Sequence, residues 1–284
     1  MIPMKEDYGD FCAEGASWKE EVVRVSDSVA LKAVTFEPPK PSGRPPVVFV
    51  PGWITLIAAW REVLREMTRD FTVHYVETRE KITSVVTAKE PYTVEALGKD
   101  IVSYISGLGL KDGQYVLFGS SLGATVVLDC IRFLGEKPAC IVLVGPNAEF
   151  RVPWWGMVII SLFYPPTYSI VKPFVKWYLR NFRLNVESDL AQYQKYCNNL
   201  DAADPWKLKK AAWEFSSYTV WDLLPKIDLP VLLVSASKDK LHEPENLRKM
   251  AEMIPRCTVI DFETNKGTHS AEMVATMRKY IDGL

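Results

Sequence analysis

Val116-Leu117-Phe118-Gly119-Ser120-Ser121-Leu122-Gly123 is the stretch on which the fold turns. The apolar run predicts a short buried strand over Tyr115–Phe118, and Leu122–Phe133 has the makings of a helix directly behind it. The residues between, Gly119 to Gly123, fit G-x-S-x-G. A strand-to-helix turn this tight lifts the Ser121 hydroxyl above the sheet and holds Ser121 in a strained conformation. Side chains two places before and after Ser121 would clash, so both places take glycine. Five residues alone match by chance; the strand before and the helix after give the pattern its weight. An inert serine in a glycine-rich loop is the plain alternative.

A serine hydroxyl is a poor nucleophile until a base takes its proton. The chain has three histidines, His74, His242 and His269. His74 falls inside the predicted strand Phe71–Val76, the place of a satisfied core histidine. His269 follows the last predicted strand, in Thr264-Asn265-Lys266-Gly267-Thr268-His269, on the sheet edge where sites gather. His269 is therefore the expected base, with His242 its competitor. Asp239, just past the predicted strand Val231–Ser235, is the expected carboxylate that orients the base. A turn or helix-cap role is the plain alternative for Asp239, and Glu243 is its substitute. The oxyanion needs two backbone N–H groups. Leu122 supplies one from a helix start, where N–H groups are free. Trp53 supplies the other, from the loop Pro51-Gly52-Trp53-Ile54 after the strand Val47–Val50.

Outward from that motif, strands and helices alternate. Glu21–Val25 and Val29–Phe36 form an opening strand pair. Val47–Val50, Phe71–Val76, Tyr115–Phe118, Cys140–Val144, Val231–Ser235 and Thr258–Phe262 are further strands. Ala58–Met67, Val94–Leu108, Leu122–Phe133, Pro244–Met253 and Ala271–Ile281 are helices. This pattern predicts an α/β fold with a mainly parallel, doubly wound sheet covered on both faces. Residues 147–221 interrupt it with aromatic-rich irregular helices. The expected division is a core of residues 1–146 and 222–284 with a helical cap at 147–221.

Composition excludes several classes. The chain has 284 residues, 34 basic and 35 acidic, which leaves no nucleic-acid footprint. Five scattered cysteines contain no CxxC pair, so zinc-ribbon and thioredoxin-like readings fail. Together with an N-terminus lacking an apolar segment, they point to reduced thiols and a cytoplasmic protein. Val152 to Val171 is uncharged, but Pro165-Pro166 breaks it, which argues against a membrane span.

The order Ser, Asp, His and these loops resemble the α/β-hydrolase superfamily, from about Glu20 to the end. Val-Pro-Gly-Trp resembles the family's oxyanion loop, with Pro51 where many members have His. Gly-Ser-Ser-Leu-Gly resembles its nucleophile turn. Thr78–Glu90 lacks the glycine-rich arginine loop of epoxide-hydrolase-like members, and a Ser rather than an Asp at the turn argues against their chemistry. The resemblance implies Ser121, Asp239 and His269 as a catalytic triad, Trp53 and Leu122 as the oxyanion hole, and no metal or organic cofactor. It implies a serine hydrolase acting on a carboxylic ester, carboxylesterase- or lipase-like. The same triad serves a thioester, an amide or a C–C bond next to a carbonyl. A non-catalytic ligand-binding protein on the same fold is the alternative from another class.

Residues 147–221 hold 17 of the 33 aromatics in about a quarter of the chain. They build a small core or an apolar substrate pocket. Trp154, Trp155 and Phe163 are the expected substrate contacts. Lys172, Lys176, Arg180 and Arg183 span an arc of roughly 80° on a helix, opposite Phe174, Trp177, Tyr178 and Phe182. Such a basic face rests on an anionic membrane or packs on the cap interior. Peripheral membrane contact through those four cations is therefore an expectation.

Overall fold

The computed structural model describes residues 7–150, 152–184, 186, 189–238 and 244–284. The chain opens with an antiparallel pair, β1 (Ser17–Arg24) and β2 (Val29–Glu37). It continues through β3 (Val47–Val50), α1 (Arg61–Met67), β4 (Val73–Val76), β5 (Val85–Val86), α2 (Val94–Leu108), β6 (Val116–Ser120), α3 (Leu122–Cys130) and β7 (Cys140–Val144). Four helices follow, α4 (Trp154–Leu162), α5 (Tyr168–Tyr178), α6 (Leu190–Ala202) and α7 (Pro205–Phe215). Then come β8 (Val231–Ser235), α8 (Pro244–Met253), β9 (Cys257–Asp261), α9 (Asn265–Thr268) and α10 (Ala271–Asp282).

The strands lie in one sheet in the order β1-β2-β4-β3-β6-β7-β8-β9, with β5 beside β2. Every pair from β4 to β9 along this order is parallel. Residues of β3, β6, β7 and β8 are buried throughout, as strands covered on both faces must be. Alternation then sorts side chains to two cores. Val47, Phe49, Val116 and Phe118 pack with Trp60, Leu64, Met67, Met273 and Met277 of the α1 and α10 side. Val48, Val50, Leu117 and Leu143 pack with Leu97, Ile101, Val126 and Met250 of the α2, α3 and α8 side. All nine residues of α3 are buried, so the helix that starts behind Ser121 is a rigid seat.

The expected single helix Ala58–Met67 is instead a 3₁₀ turn, Ile57–Trp60, followed by α1. β1 begins at Ser17, earlier than the apolar pattern implies, because it is an edge strand in which Ser17, Lys19 and Arg24 face solvent. The short helix α9 stands where the sequence predicts a loop; it carries a glycine and is started by Thr264, whose hydroxyl accepts from Gly267 N–H.

His74 of β4 is half-buried and 3.1 Å from Thr35 Oγ1 through Nδ1. Burial lowers its pKa from the usual 6.5 and outweighs the opposing pull of Glu37 and Glu21. The folded imidazole is thus a weaker base than the unfolded one. The unfolded chain binds the extra proton, so stability is full above the unfolded pKa and is lost as pH falls through the folded one. Thermal melts between pH 7.5 and 5 should show a decline beginning near pH 6.5, flattened in His74→Gln.

Candidate active site

Ser121 sits between β6 and α3 with φ +50° and ψ −118°. Its N–H donates to Val144 O at 2.9 Å, across to the neighbouring strand. The flanking glycines are sterically required. A Cβ on Gly119 would lie 2.6 Å from Ala124 Cα, and one on Gly123 would lie 2.2 Å from Val50 O. Gly52 approaches from the other side, less tightly: its Cβ would lie 3.2 Å from Ser121 Cβ. Asn147 Nδ2 donates to Ser121 Oγ at 3.3 Å, and Thr125 Oγ1 holds Asn147 by donating to its carbonyl at 2.7 Å.

Strain marks the same place independently of the motif. Among the described residues, three non-glycine residues have positive φ: Ile54 (48°), Ser121 (50°) and Glu263 (59°). They fall on the loop after β3, the turn after β6 and the loop after β9. These three loops meet around one cavity of about 80 Å³. Such residues persist only where the surroundings over-determine them, and they cluster at active sites.

His269 lies just beyond α9 and lines this cavity with Ser121, Trp53 and Thr55. Its Nδ1 is 2.9 Å from Asn265 O and 3.1 Å from Thr268 Oγ1. A carbonyl oxygen only accepts, so the contact with Asn265 places a proton on Nδ1 and the basic lone pair on Nε2. The ring stacks on Trp60 at 4.1 Å and 24°. Asp239 lies outside the described residues, as do His242 and Glu243. The loop leading to Asp239 is stapled to the histidine loop by Asp261, whose Oδ1 accepts from Ser235 Oγ, Ser237 N–H and Glu263 N–H at 2.9–3.0 Å. Partial burial would raise the Asp261 pKa, but these donors hold it below the usual carboxylate value.

The roof comes from α6. Lys195, Tyr196 and Asn199 face the cavity. Lys195 Nζ donates to Asn265 Oδ1 at 2.8 Å, and Asn199 Oδ1 accepts from Leu56 N–H at 3.1 Å. The helix is thus tied, from adjacent turns, to the histidine loop through Lys195 and to the loop after β3 through Asn199. Trp154, Trp155 and Phe163, the expected substrate contacts, do not line this cavity. Trp154 and Trp155 are 79% and 57% exposed, and Phe163 packs edge-on to Tyr168. The roof is polar because α6 covers the site, while α4 and α5 lie outside it.

The profile of the alpha/beta hydrolase family matches residues 47–276, well over half of the chain. The chain belongs to the alpha/beta hydrolase family. Solved structures of this hydrolase fold agree over nearly the whole length. A thermophilic esterase from Thermogutta terrifontis is 19% identical, with a TM-score of 0.72, covering 93% of this chain and 99% of its own. An esterase from Exiguobacterium antarcticum is 18% identical, with the same TM-score and coverages of 93% and 100%. A bromoperoxidase from Bacillus anthracis is 15% identical, again at 0.72, with coverages of 93% and 100%. At these identities the likeness shows the fold, and the differing names show that one fold serves different chemistries. A sequence comparison with curated proteins found no match.

Sequence reasoning missed Trp60 as the platform under His269, Asn147 as a donor to Ser121 Oγ, and α6 as the roof. Trp60 was legible only as one member of a buried helical face. Asn147 lies three residues beyond β7, on the sheet edge that also carries Ser121 and His269, and that placement was its one available signal.

Proposed function

We propose that this hydrolase cleaves carboxylic esters bearing an apolar acyl or alkyl group, through a covalent acyl-enzyme on Ser121. The observation that carries the reading is Ser121 held at positive φ in a cavity shared with His269, whose Nδ1 faces a carbonyl. Ser121 Oγ attacks the ester carbonyl as His269 Nε2 takes its proton. Trp53 and Leu122 N–H groups receive the oxyanion. Among the described residues neither N–H donates to another backbone carbonyl outside the regular elements. His269 then protonates the leaving alcohol, and a water activated by His269 releases the acid. Asp239, four residues after β8, is assigned the orienting carboxylate from its place in the chain. A fluorophosphonate should label the wild-type protein, and only at Ser121. Labelling that survives Ser121→Ala would refute the assignment.

The cavity takes the ester group and a short substituent, so the bulk of an apolar substrate stays outside it. The outer surface is suited to that. Trp154, Ile159, Leu162, Ile170, Phe174 and Phe182 of the α4–α5 region are 60–79% exposed. No acidic residue occurs between Val152 and Val186. Among the described residues no single helix is long and apolar enough to cross a membrane; α4 and the helical stretch Pro165–Arg183 are bent by 95°. We assign this face to shallow contact with a membrane from which the substrate is taken. The four expected cations do not act alike. Lys172 and Lys176 donate to Asp201 of α6, so α5 turns its basic side inward and its aromatic side outward. Arg180 and Arg183 remain exposed. Vesicles with anionic headgroups should sediment the protein at low salt, and Trp154→Ser should weaken this about tenfold. Equal binding by wild type and variant, or no sedimentation at low salt, would remove the assignment.

A further inference from the structure

Lys81 is 5% exposed and absent from the cavity wall, yet it touches the loop that carries Trp53. Its Nζ donates to Gly52 O at 2.6 Å and to Thr55 O at 2.9 Å. Gly52 and Thr55 are the two ends of a four-residue turn closed by Thr55 N–H to Gly52 O at 3.2 Å. The third residue of that turn is Ile54, at φ +48°, where glycine or asparagine is the usual occupant. A β-branched residue there is disfavoured, so the turn needs an outside hold. Lys81 supplies it by joining both ends.

Lys81 is itself fixed. Arg79, two residues earlier, makes a two-pronged ion pair with Asp100, both contacts 2.6 Å. Lys207 of α7 donates to Lys81 O at 2.7 Å and to Ser84 O at 2.8 Å. Desolvation lowers the pKa of the Lys81 ammonium, and the carboxylates of Glu80 and Glu77 act against it.

A trans peptide is planar, so its C=O and N–H point in opposite directions. The described chain has no cis peptide. An ammonium holding Gly52 O behind the loop therefore turns the Trp53 N–H the other way, to the cavity side, where Trp53 and Ser121 both stand. A cation on the carbonyl also draws charge through the amide and strengthens that N–H as a donor. We propose that Lys81 is a positioning residue for the oxyanion hole, acting through the Gly52–Trp53 peptide. This rests on the serine-hydrolase reading above.

The test separates oxyanion binding from general integrity. An alkylboronic acid adds to a nucleophilic serine and places a negative oxygen in the hole; the amide of the same alkyl group stays neutral. In Lys81→Met, kcat for a p-nitrophenyl ester should fall about 10- to 100-fold with KM nearly unchanged. Boronate affinity should fall by a similar factor while amide affinity holds. Lys81→Gln, which keeps one donor group, should fall between. Intact boronate affinity in Lys81→Met, or equal loss of both ligands, overturns the proposal. Should both variants fail to fold, wild-type protein labelled with ¹⁵N-tryptophan still decides it. The Trp53 amide proton should move downfield when the boronate binds, and an unmoved resonance overturns the proposal. Absence of any fluorophosphonate labelling of wild type would instead remove the hydrolase reading itself.

Discussion

Ser121→Ala is expected to lower kcat/KM for an ester by about 10⁴-fold or more. The size follows from the step that is lost. With no Oγ there is no acyl-enzyme, and what remains is the hole and the bound geometry acting on water. The fold should hardly notice. Ser121 contributes its backbone to the turn through the 2.9 Å bond to Val144 O, which alanine keeps. Its side chain gives up one 3.3 Å bond from Asn147. Melting curves of the two proteins should therefore nearly coincide. His269→Ala should be comparably damaging, and the double variant scarcely worse, because the proposed mechanism uses the two residues as one unit. A Ser121→Ala protein within tenfold of wild type would place the nucleophile elsewhere.

Gly123→Ala should cost more stability than the same methyl added at Gly119, Gly52 or Gly107. The new Cβ would meet Val50 O at 2.2 Å, Pro51 O at 2.5 Å and Val50 C at 2.8 Å, all of them backbone. None of these atoms can rotate away. β3 is paired on both sides, to β4 and to β6, and α3 is buried along its whole length. Relief requires moving a central strand or the helix against it, at a cost of about 3 kcal/mol or more. Near the melting point that is roughly a 10 °C fall. Any folded fraction should also lose activity, because Val50 and Pro51 lead straight into Gly52 and Trp53. Gly107→Ala in α2 is the matched control. Nothing lies within 4 Å of its Cβ, so the same methyl should be neutral or stabilising by up to about 1 kcal/mol. Equal melting temperatures for the two variants would refute the steric account.

The core of the fold was legible because buried parallel strands leave an unmistakable trace. Val47–Val50, Cys140–Val144 and Val231–Ser235 are short apolar runs, and the structure returns each with the same bounds. The turn at Ser121 was legible because its glycines leave a five-residue pattern between an apolar strand and a helix; Gly119 answers to Ala124 nearby, whereas Gly123 answers to Val50 and Pro51 far back in the chain. Where the sequence failed, the cause was distance along the chain. Trp60 meets His269 across 209 positions, and no local period encodes that stack. Lys81 reaches Gly52 from a polar stretch with no motif. The basic and aromatic sides of α5 were separable by spacing, but spacing does not say which side faces out. Asp201, on the next helix, settles it by drawing in Lys172 and Lys176. The aromatic excess lies in residues 147–221, yet Trp154, Trp155, Trp177, Trp206 and Trp213 are exposed rather than turned onto Ser121.

The contact between Gly123 and the carbonyls of Val50 and Pro51 also has a genetic consequence. Glycine codons share their first two bases and are free only at the third. Every amino-acid change reached from the first two positions of codon 123 adds a side chain to a place that admits none, while the third base drifts unnoticed. A mutational scan of the gene should therefore find codon 123 intolerant of every amino-acid change, chemistry aside, because what is selected there is the absence of an atom.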